Sequence, residues 1–231
     1  MPAILLPLIL AVLSLGAGTP ATASPLNQWR VSCGADPGAI TRQGRTWIFR
    51  TSSNHCEGGV FNQRAELSTQ HVRPNHRGAY LFQTKVALRT GASEQFTLFQ
   101  VHDGRMGCAP PLSIDVRPDG RLYLKSDVKT GPGESCVRGT LSDRISRDRI
   151  TRDGTPYEMR VLIDFDGTGA FDVALWIDGR PQVTGRYTPQ AQATGFRPER
   201  YYFKHGVYSY RRFPYEMTSS GMGVRRVRVA N

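Results

Sequence analysis

The sequence is poor in acid. Its 231 residues include 19 Asp and Glu against 30 Lys and Arg, a formal charge of +11. No closely spaced Asp/Glu motif on a strand suits a glycoside hydrolase, which needs two carboxylates across the scissile bond. No CxxC pair occurs, which argues against a zinc site. Long helical patterns are missing, and so are a recognition helix, a zinc knuckle and an RNP-like aromatic motif, so the basic charge does not point to nucleic acid. Beyond the first residues no apolar run is long enough to cross a bilayer. There is no internal repeat, low-complexity tract or interdomain linker.

What is present begins with an apolar run, Met1 to Leu15, without a charged side chain, followed by the small-residue pattern Ala21-Thr22-Ala23. These features predict a secretory signal peptide over residues 1–23. Pro7, Gly16, Gly18 and Pro20 interrupt the stretch and speak against a membrane anchor. Residues 24–231 then form one secreted domain, expected to be monomeric and free of the membrane. Cys33, Cys56, Cys108 and Cys136 make an even set in an exported chain and predict two disulfides. Three pairings are open; Cys33–Cys56 and Cys108–Cys136 are favoured because each closes a short local loop. A basic secreted domain attracts polyanions, among them uronic-acid polysaccharides.

Period-2 alternation dominates the chain. Tyr80, Phe82, Thr84, Val86 and Leu88 alternate with Leu81, Gln83, Lys85 and Arg89. Leu112–Arg117, Arg121–Lys125, Tyr157–Phe165 and Ala170–Asp178 repeat the pattern. Turn signals stand between them: Pro118-Asp119-Gly120, Asp153-Gly154, Asp166-Gly167-Thr168-Gly169 and Asp178-Gly179. The prediction is an all-β fold, a two-sheet antiparallel β-sandwich (jelly roll) with a concave substrate groove. The segment from Arg138 to Arg152, rich in Arg, Asp and Ser, is expected to be a solvated loop, with or without a short helix.

Three strand segments place polar side chains on one face. In a strand, residues i, i+2 and i+4 share a face, which groups Arg64 with Glu66, Gln100 with His102, and Lys204 with Tyr208. Ala65, Val101 and Val207 should face the interior, and so should His205, as a hydrogen-bonded core histidine. A cation, an amide, an imidazole and a phenol on one face suit β-elimination of a uronate polymer. The C5 proton becomes acidic when donors neutralise the neighbouring carboxylate. Arg64 can clamp that carboxylate, Gln100 supplies an amide donor, and neutral His102 can serve as base. Tyr208 can protonate the leaving oxygen, or act as both base and acid where proton and leaving group lie on the same side. Lys204 is expected to place a cation near Tyr208 and to bind substrate. Tyr202 and Tyr210 share its parity and are candidate sugar-binding aromatics; Lys85, with Arg89, is a candidate extension of the basic groove. The scheme requires neither metal nor cofactor.

The segments Gln63-Arg64-Ala65-Glu66-Leu67, Gln100-Val101-His102 and Tyr202-Phe203-Lys204-His205-Gly206-Val207-Tyr208 resemble the three signature strands of polysaccharide lyase family 7, the alginate lyases. The resemblance spans nearly all of residues 24–231. It implies a jelly roll, endolytic metal-independent elimination, catalytic roles for Arg64, Gln100, His102 and Tyr208, and substrate binding by Lys204. It gives Glu66 the task of orienting Arg64. Departures stand at Ser68, where the family has a second arginine, at His205, where it has a small residue, and at Ser209-Tyr210, where it tends toward Asn-Gln. Valine within Gln-Val-His leans toward mannuronate blocks. Glucuronan lyases and heparin-lyase-like enzymes resemble the same set. A lectin-like jelly roll that binds acidic glycan without cutting it is the alternative from another class.

Overall fold

The computed structural model describes residues 24–189 and 196–228. The predicted signal segment, residues 1–23, lies outside the described residues. Two seven-stranded antiparallel sheets stack face to face. The first runs β1 (Trp29–Val31), β4 (Gln63–Thr69), β13 (Tyr202–Ser209), β6 (Phe96–His102), β7 (Leu112–Val116), β8 (Arg121–Lys129), β9 (Cys136–Arg149). The second runs β12 (Arg180–Tyr187), β11 (Phe171–Ile177), β10 (Asp153–Asp166), β5 (Arg77–Arg89), β14 (Glu216–Val227), β3 (Thr46–Arg50), β2 (Ile40–Gln43). Among the described residues no helix is long and apolar enough to cross a membrane.

The alternation read from the sequence sets the core. Phe82, Val86 and Leu88 of β5, Met159, Val161 and Ile163 of β10, and Phe171, Val173 and Leu175 of β11 are buried between the sheets. From the first sheet come Ala65, Leu67, Phe99, Val101, Phe203 and Val207, all buried. Burying one large apolar side chain contributes about 1.5–3 kcal/mol, so the continuous inner layer fixes the register of both sheets. His205 joins this layer as expected. It is fully buried, its Nε2 meets Ser219 Oγ at 2.7 Å, and Phe49 and Phe82 pack on its ring. Burial pushes its pKa down to about 3, so it is a neutral structural imidazole.

The turn at Asp178-Gly179 joins β11 to β12. Both residues have positive φ (48° and 74°), the conformation that a two-residue hairpin turn requires and that Asp-Gly provides. Both disulfides join the favoured partners, Cys33–Cys56 and Cys108–Cys136.

One segment departs from expectation. Cys136–Arg149 is a strand, β9, paired with β8 through an irregular register, rather than a solvated loop. It is the last strand of its sheet. Edge strands carry charged residues and bulges that discourage further pairing. Those features erase the apolar alternation by which a strand is recognised.

Candidate active site

The outer face of the first sheet carries the three polar segments together. Strand β13 lies between β4 and β6, with Tyr208 opposite Arg64, and Lys204 opposite both Ser68 and Gln100. The sequence permits this through one residue. Gly206 has φ 150°, and a Cβ there would stand 2.1 Å from the Ala65 carbonyl oxygen. Only glycine accommodates both the backbone angle and the close approach. Beside it the β13–β6 register shifts between His205 and Tyr208, a bulge that re-aims the tyrosine.

Glu66 is the hub. Arg64 Nη1 donates to its Oε2 at 3.1 Å, and Gln100 Nε2 donates to its Oε1 at 2.8 Å. Lys204 Nζ lies 3.8 Å from Oε2. Glu66, Gln100, Arg64 and Lys204 are all buried, so both cations rely on this carboxylate. Burial lowers the Lys204 pKa, while Glu66 holds it up. The expected placement of Lys204 beside Tyr208 is corrected: its counter-charge is Glu66. The cation at Tyr208 is Arg64, whose Cζ lies 4.2 Å from the ring centroid, because the β4–β13 register sets those two residues opposite each other.

Tyr208 is held by a residue that sequence reasoning missed. The Phe61 ring stacks on it at 4.6 Å, and the Phe61 N–H donates to its hydroxyl oxygen at 3.3 Å. Phe61 lies in the loop before β4, where no periodicity marks it. The exposed Tyr210 packs edge-on against the same Phe61 and lines the cavity, as does Tyr202. Tyr202 stacks on His102 with centroids 5.1 Å apart. Burial pushes its phenol up to about 12, which suits it to holding a ring rather than to moving protons.

His102 is neutral, and its tautomer is assigned by the backbone. The Gly104 N–H donates to Nδ1 at 3.0 Å, which places the imidazole proton on Nε2. Burial, with Lys204, Arg64 and Arg200 around it, pushes its pKa down to about 3. Asp103 Oδ1 lies 3.6 Å from Nδ1 but is already engaged by the Arg105 N–H at 2.9 Å, and three cations outweigh it. With its Nδ1 lone pair accepting from the backbone, His102 presents Nε2–H as a donor.

A cavity of about 580 Å³ opens on this face, lined by Arg64, Gln100, His102, Tyr202, Lys204 and Tyr208, among others. The two disulfides brace its walls. Cys56 anchors the loop that carries Phe61, and Cys108 anchors the loop that carries Met106. The two walls approach so closely that a Cβ at Gly58 would lie 2.5 Å from Met106 Cε. A second cavity of about 400 Å³ adjoins at β1 and shares Cys33, Tyr202 and Lys204.

Lys85 does not join the site. It is exposed on β5, in the second sheet, opposite Glu158 and Ser220, and faces away from the core on the far side of the sandwich; Arg89 is on the same strand face. Parity along β5 correctly separates inner from outer residues, but it does not say which sheet the strand enters. His55 pairs with Asp36 at 2.7 Å and His76 with Tyr80 at 2.7 Å. Among the described residues no three His, Cys, Asp or Glu side chains cluster as metal ligands.

No family model matches the chain, and no curated protein matches it in sequence. Solved structures do match. The alginate lyase of Klebsiella pneumoniae superposes with a TM-score of 0.57 at 14% identity, over 88% of this chain and 96% of the other. An alginate lyase of Pseudomonas aeruginosa gives 0.53 at 17% identity, over 83% and 87%. The exolytic family 7 alginate lyase of Zobellia galactanivorans gives 0.55 at 12% identity, over 90% and 98%. The chain thus has, along most of its length, the two-sheet jelly-roll fold of the family 7 alginate lyases.

Proposed function

We propose that this protein is a secreted polysaccharide lyase that cleaves a uronic-acid polymer by β-elimination. The observation that carries it is the convergence of Arg64, Gln100, neutral His102 and Tyr208 on one cavity, two of them anchored on the same Glu66 carboxylate. A substrate carboxylate set against the remaining N–H groups of Arg64 and Gln100 and the Nε2–H of His102 meets three donors, which stabilise the charge that develops as C5 loses its proton. Tyr208 does the proton work. As phenolate it takes the C5 proton. The C5–H electrons form the C4=C5 bond, the C4–O bond breaks, and the leaving oxygen takes the proton back from Tyr208. One group serving as base and acid suits a sugar whose C5 proton and C4 oxygen leave from the same side, as in mannuronate. Tyr202, Tyr210 and Lys204 bind the sugar chain. Residues 1–23 act as the export signal, and residues 24–231 act as a single monomeric domain.

Incubation with alginate, glucuronan and heparin-type chains tests this reading. Alginate comes first because the structural neighbours are alginate lyases. The expected product is an unsaturated uronic end that absorbs in the ultraviolet. New reducing ends without that absorbance would indicate hydrolysis, and binding without cleavage would indicate a glycan-binding module. The pH dependence is a separate check. With burial and three neighbouring cations holding the His102 pKa down to about 3, its ring is neutral from about pH 5 upward. The kcat/KM profile should then show no rise between pH 5 and 7 from imidazole deprotonation. A limb near the ordinary histidine value of about 6.5 that disappears in His102→Gln would restore the histidine as base.

A further inference from the structure

Lys204 is a buried cation with unused donors. Its side chain is 9% exposed, and its Nζ lies 3.8 Å from Glu66 Oε2, beyond hydrogen-bond reach. An ammonium carries three N–H groups, and among the described residues Lys204 Nζ makes no hydrogen bond. Lys204 lines the second cavity as well as the first, so this unspent capacity stands between the two.

Two arginines stand around the same second cavity. Strand register sets Arg30 of β1 opposite Ser68 of β4, Ser68 opposite Lys204 of β13, and Lys204 opposite Gln100 of β6. Directly opposed residues share a face, so the four make one row across four strands. Arg200 enters from the segment before β13 and lies against the Gly104 turn, where a Cβ would stand 2.9 Å from Arg200 Cγ. Among the described residues neither arginine makes an ion pair. Glu199, next to Arg200, is committed to Arg105 at 2.8 Å. None of the described residues lining the second cavity is Asp or Glu.

The short strand that carries Arg30 is fixed in place. Trp29 packs on Phe82 with ring centroids 5.8 Å apart, the Ser32 N–H donates to the Glu66 carbonyl oxygen at 2.8 Å, and Cys33 is bonded to Cys56. Three cations around a cavity without an acid repel one another, and an anion entering between them relieves that cost. A guanidinium can take two oxygens of a carboxylate or a sulfate at once. Strands are about 4.8 Å apart, so a sugar chain laid across β6, β13, β4 and β1 brings a neighbour of the reacting uronate over Arg30.

We infer that the second cavity seats a second oxyanion of the same chain, held by Lys204, Arg30 and Arg200. That oxyanion is the carboxylate of a neighbouring uronate or a sulfate ester on the neighbouring sugar. The inference rests on the lyase reading for which sugar is cut, and it narrows the substrate to chains whose sugar on the β1 side is also anionic.

The test measures binding and turnover separately. Calorimetry on Tyr208→Phe, in which the polymer stays whole, compares polymannuronate, a heparin-type chain and its desulfated form, with and without Arg30→Ala or Arg200→Ala. Each arginine removed should weaken binding about fivefold, the worth of one exposed charge contact. In the protein that keeps Tyr208, each should raise KM by about the same factor and leave kcat within about threefold. Arg30→Lys keeps the charge and should recover most of the loss. Lys85→Ala removes one charge from the far side of the sandwich, and screening should hold its effect within about twofold. Arg30 is exposed, so its variants carry the test should Arg200→Ala disturb the Gly104 turn. A loss seen with polymannuronate assigns a carboxylate to the seat. A loss confined to the heparin-type chain and absent from its desulfated form assigns a sulfate ester. Binding and KM no more affected by Arg30→Ala than by Lys85→Ala would overturn the second seat while leaving the lyase reading standing. Weakened binding in the arginine variants, with no unsaturated product from any polymer, would sustain the seat and sink the lyase reading.

Discussion

Replacing Tyr208 by Phe should lower kcat by about 10²–10⁴-fold, the usual worth of a positioned proton-transfer group, while KM stays within about threefold. The asymmetry follows from what the substitution keeps. The Phe ring still stacks on Phe61 and still lies under the Arg64 guanidinium, so the groove keeps its shape. The hydroxyl is lost, and the Phe61 N–H loses its acceptor at the edge of a half-buried loop. Tyr202→Phe is the contrast. Tyr202 lines the same cavity and stacks on His102, but its phenol is pushed up to about 12. Its loss should reduce kcat less than tenfold, on the order of one hydrogen bond. Steady-state rates of unsaturated product with both variants decide the matter. Near-normal turnover in Tyr208→Phe would remove Tyr208 as the proton carrier.

Much of this arrangement is legible in the sequence because a strand has a strict period. Once Ala65, Val101 and Val207 point inward, Arg64, Gln100, His102 and Tyr208 must point outward, and His205 must be in the core. The local disulfides and the Asp178-Gly179 turn are legible for the same reason: each is set by neighbours along the chain. What is not legible depends on pairing between distant strands or on loop backbone. The sequence expects Lys204 to serve Tyr208, but the β4–β13 register gives that place to Arg64 and sends Lys204 to Glu66. Lys85 has the expected outward parity, but β5 enters the other sheet. The role of His102 turns on one N–H, that of Gly104, in the bend after β6, and no side-chain pattern announces it. β9 is hidden because an edge strand with alternating charges looks like a loop. Phe61 comes into the site from a loop.

Glu66→Ala should be the most damaging single change to the folded state. The carboxylate is nearly inaccessible and serves three partners at once: Arg64, Gln100 and Lys204. Its removal leaves two buried cations 5% and 7% exposed with no counter-ion in contact. Breaking a buried ion pair from one side costs about 3–5 kcal/mol, which in a domain of this size lowers Tm by roughly 6–20 °C. Glu66→Gln restores the volume and one acceptor for Gln100 but not the charge, so it should fall between Ala and the parent. Stability alone does not account for the expected kinetics. Measured well below both Tm values, kcat should still fall by more than about tenfold in Glu66→Gln, because Arg64 and Gln100 take their orientation from the two oxygens of one carboxylate and together face the substrate's own. A Glu66→Gln protein with parental kcat at low temperature would mean that Glu66 holds the sheet together without aiming the donors. The convergence of Arg64 and Gln100 on it would then be a feature of folding, and the donor set for the substrate carboxylate would have to be sought elsewhere along the groove.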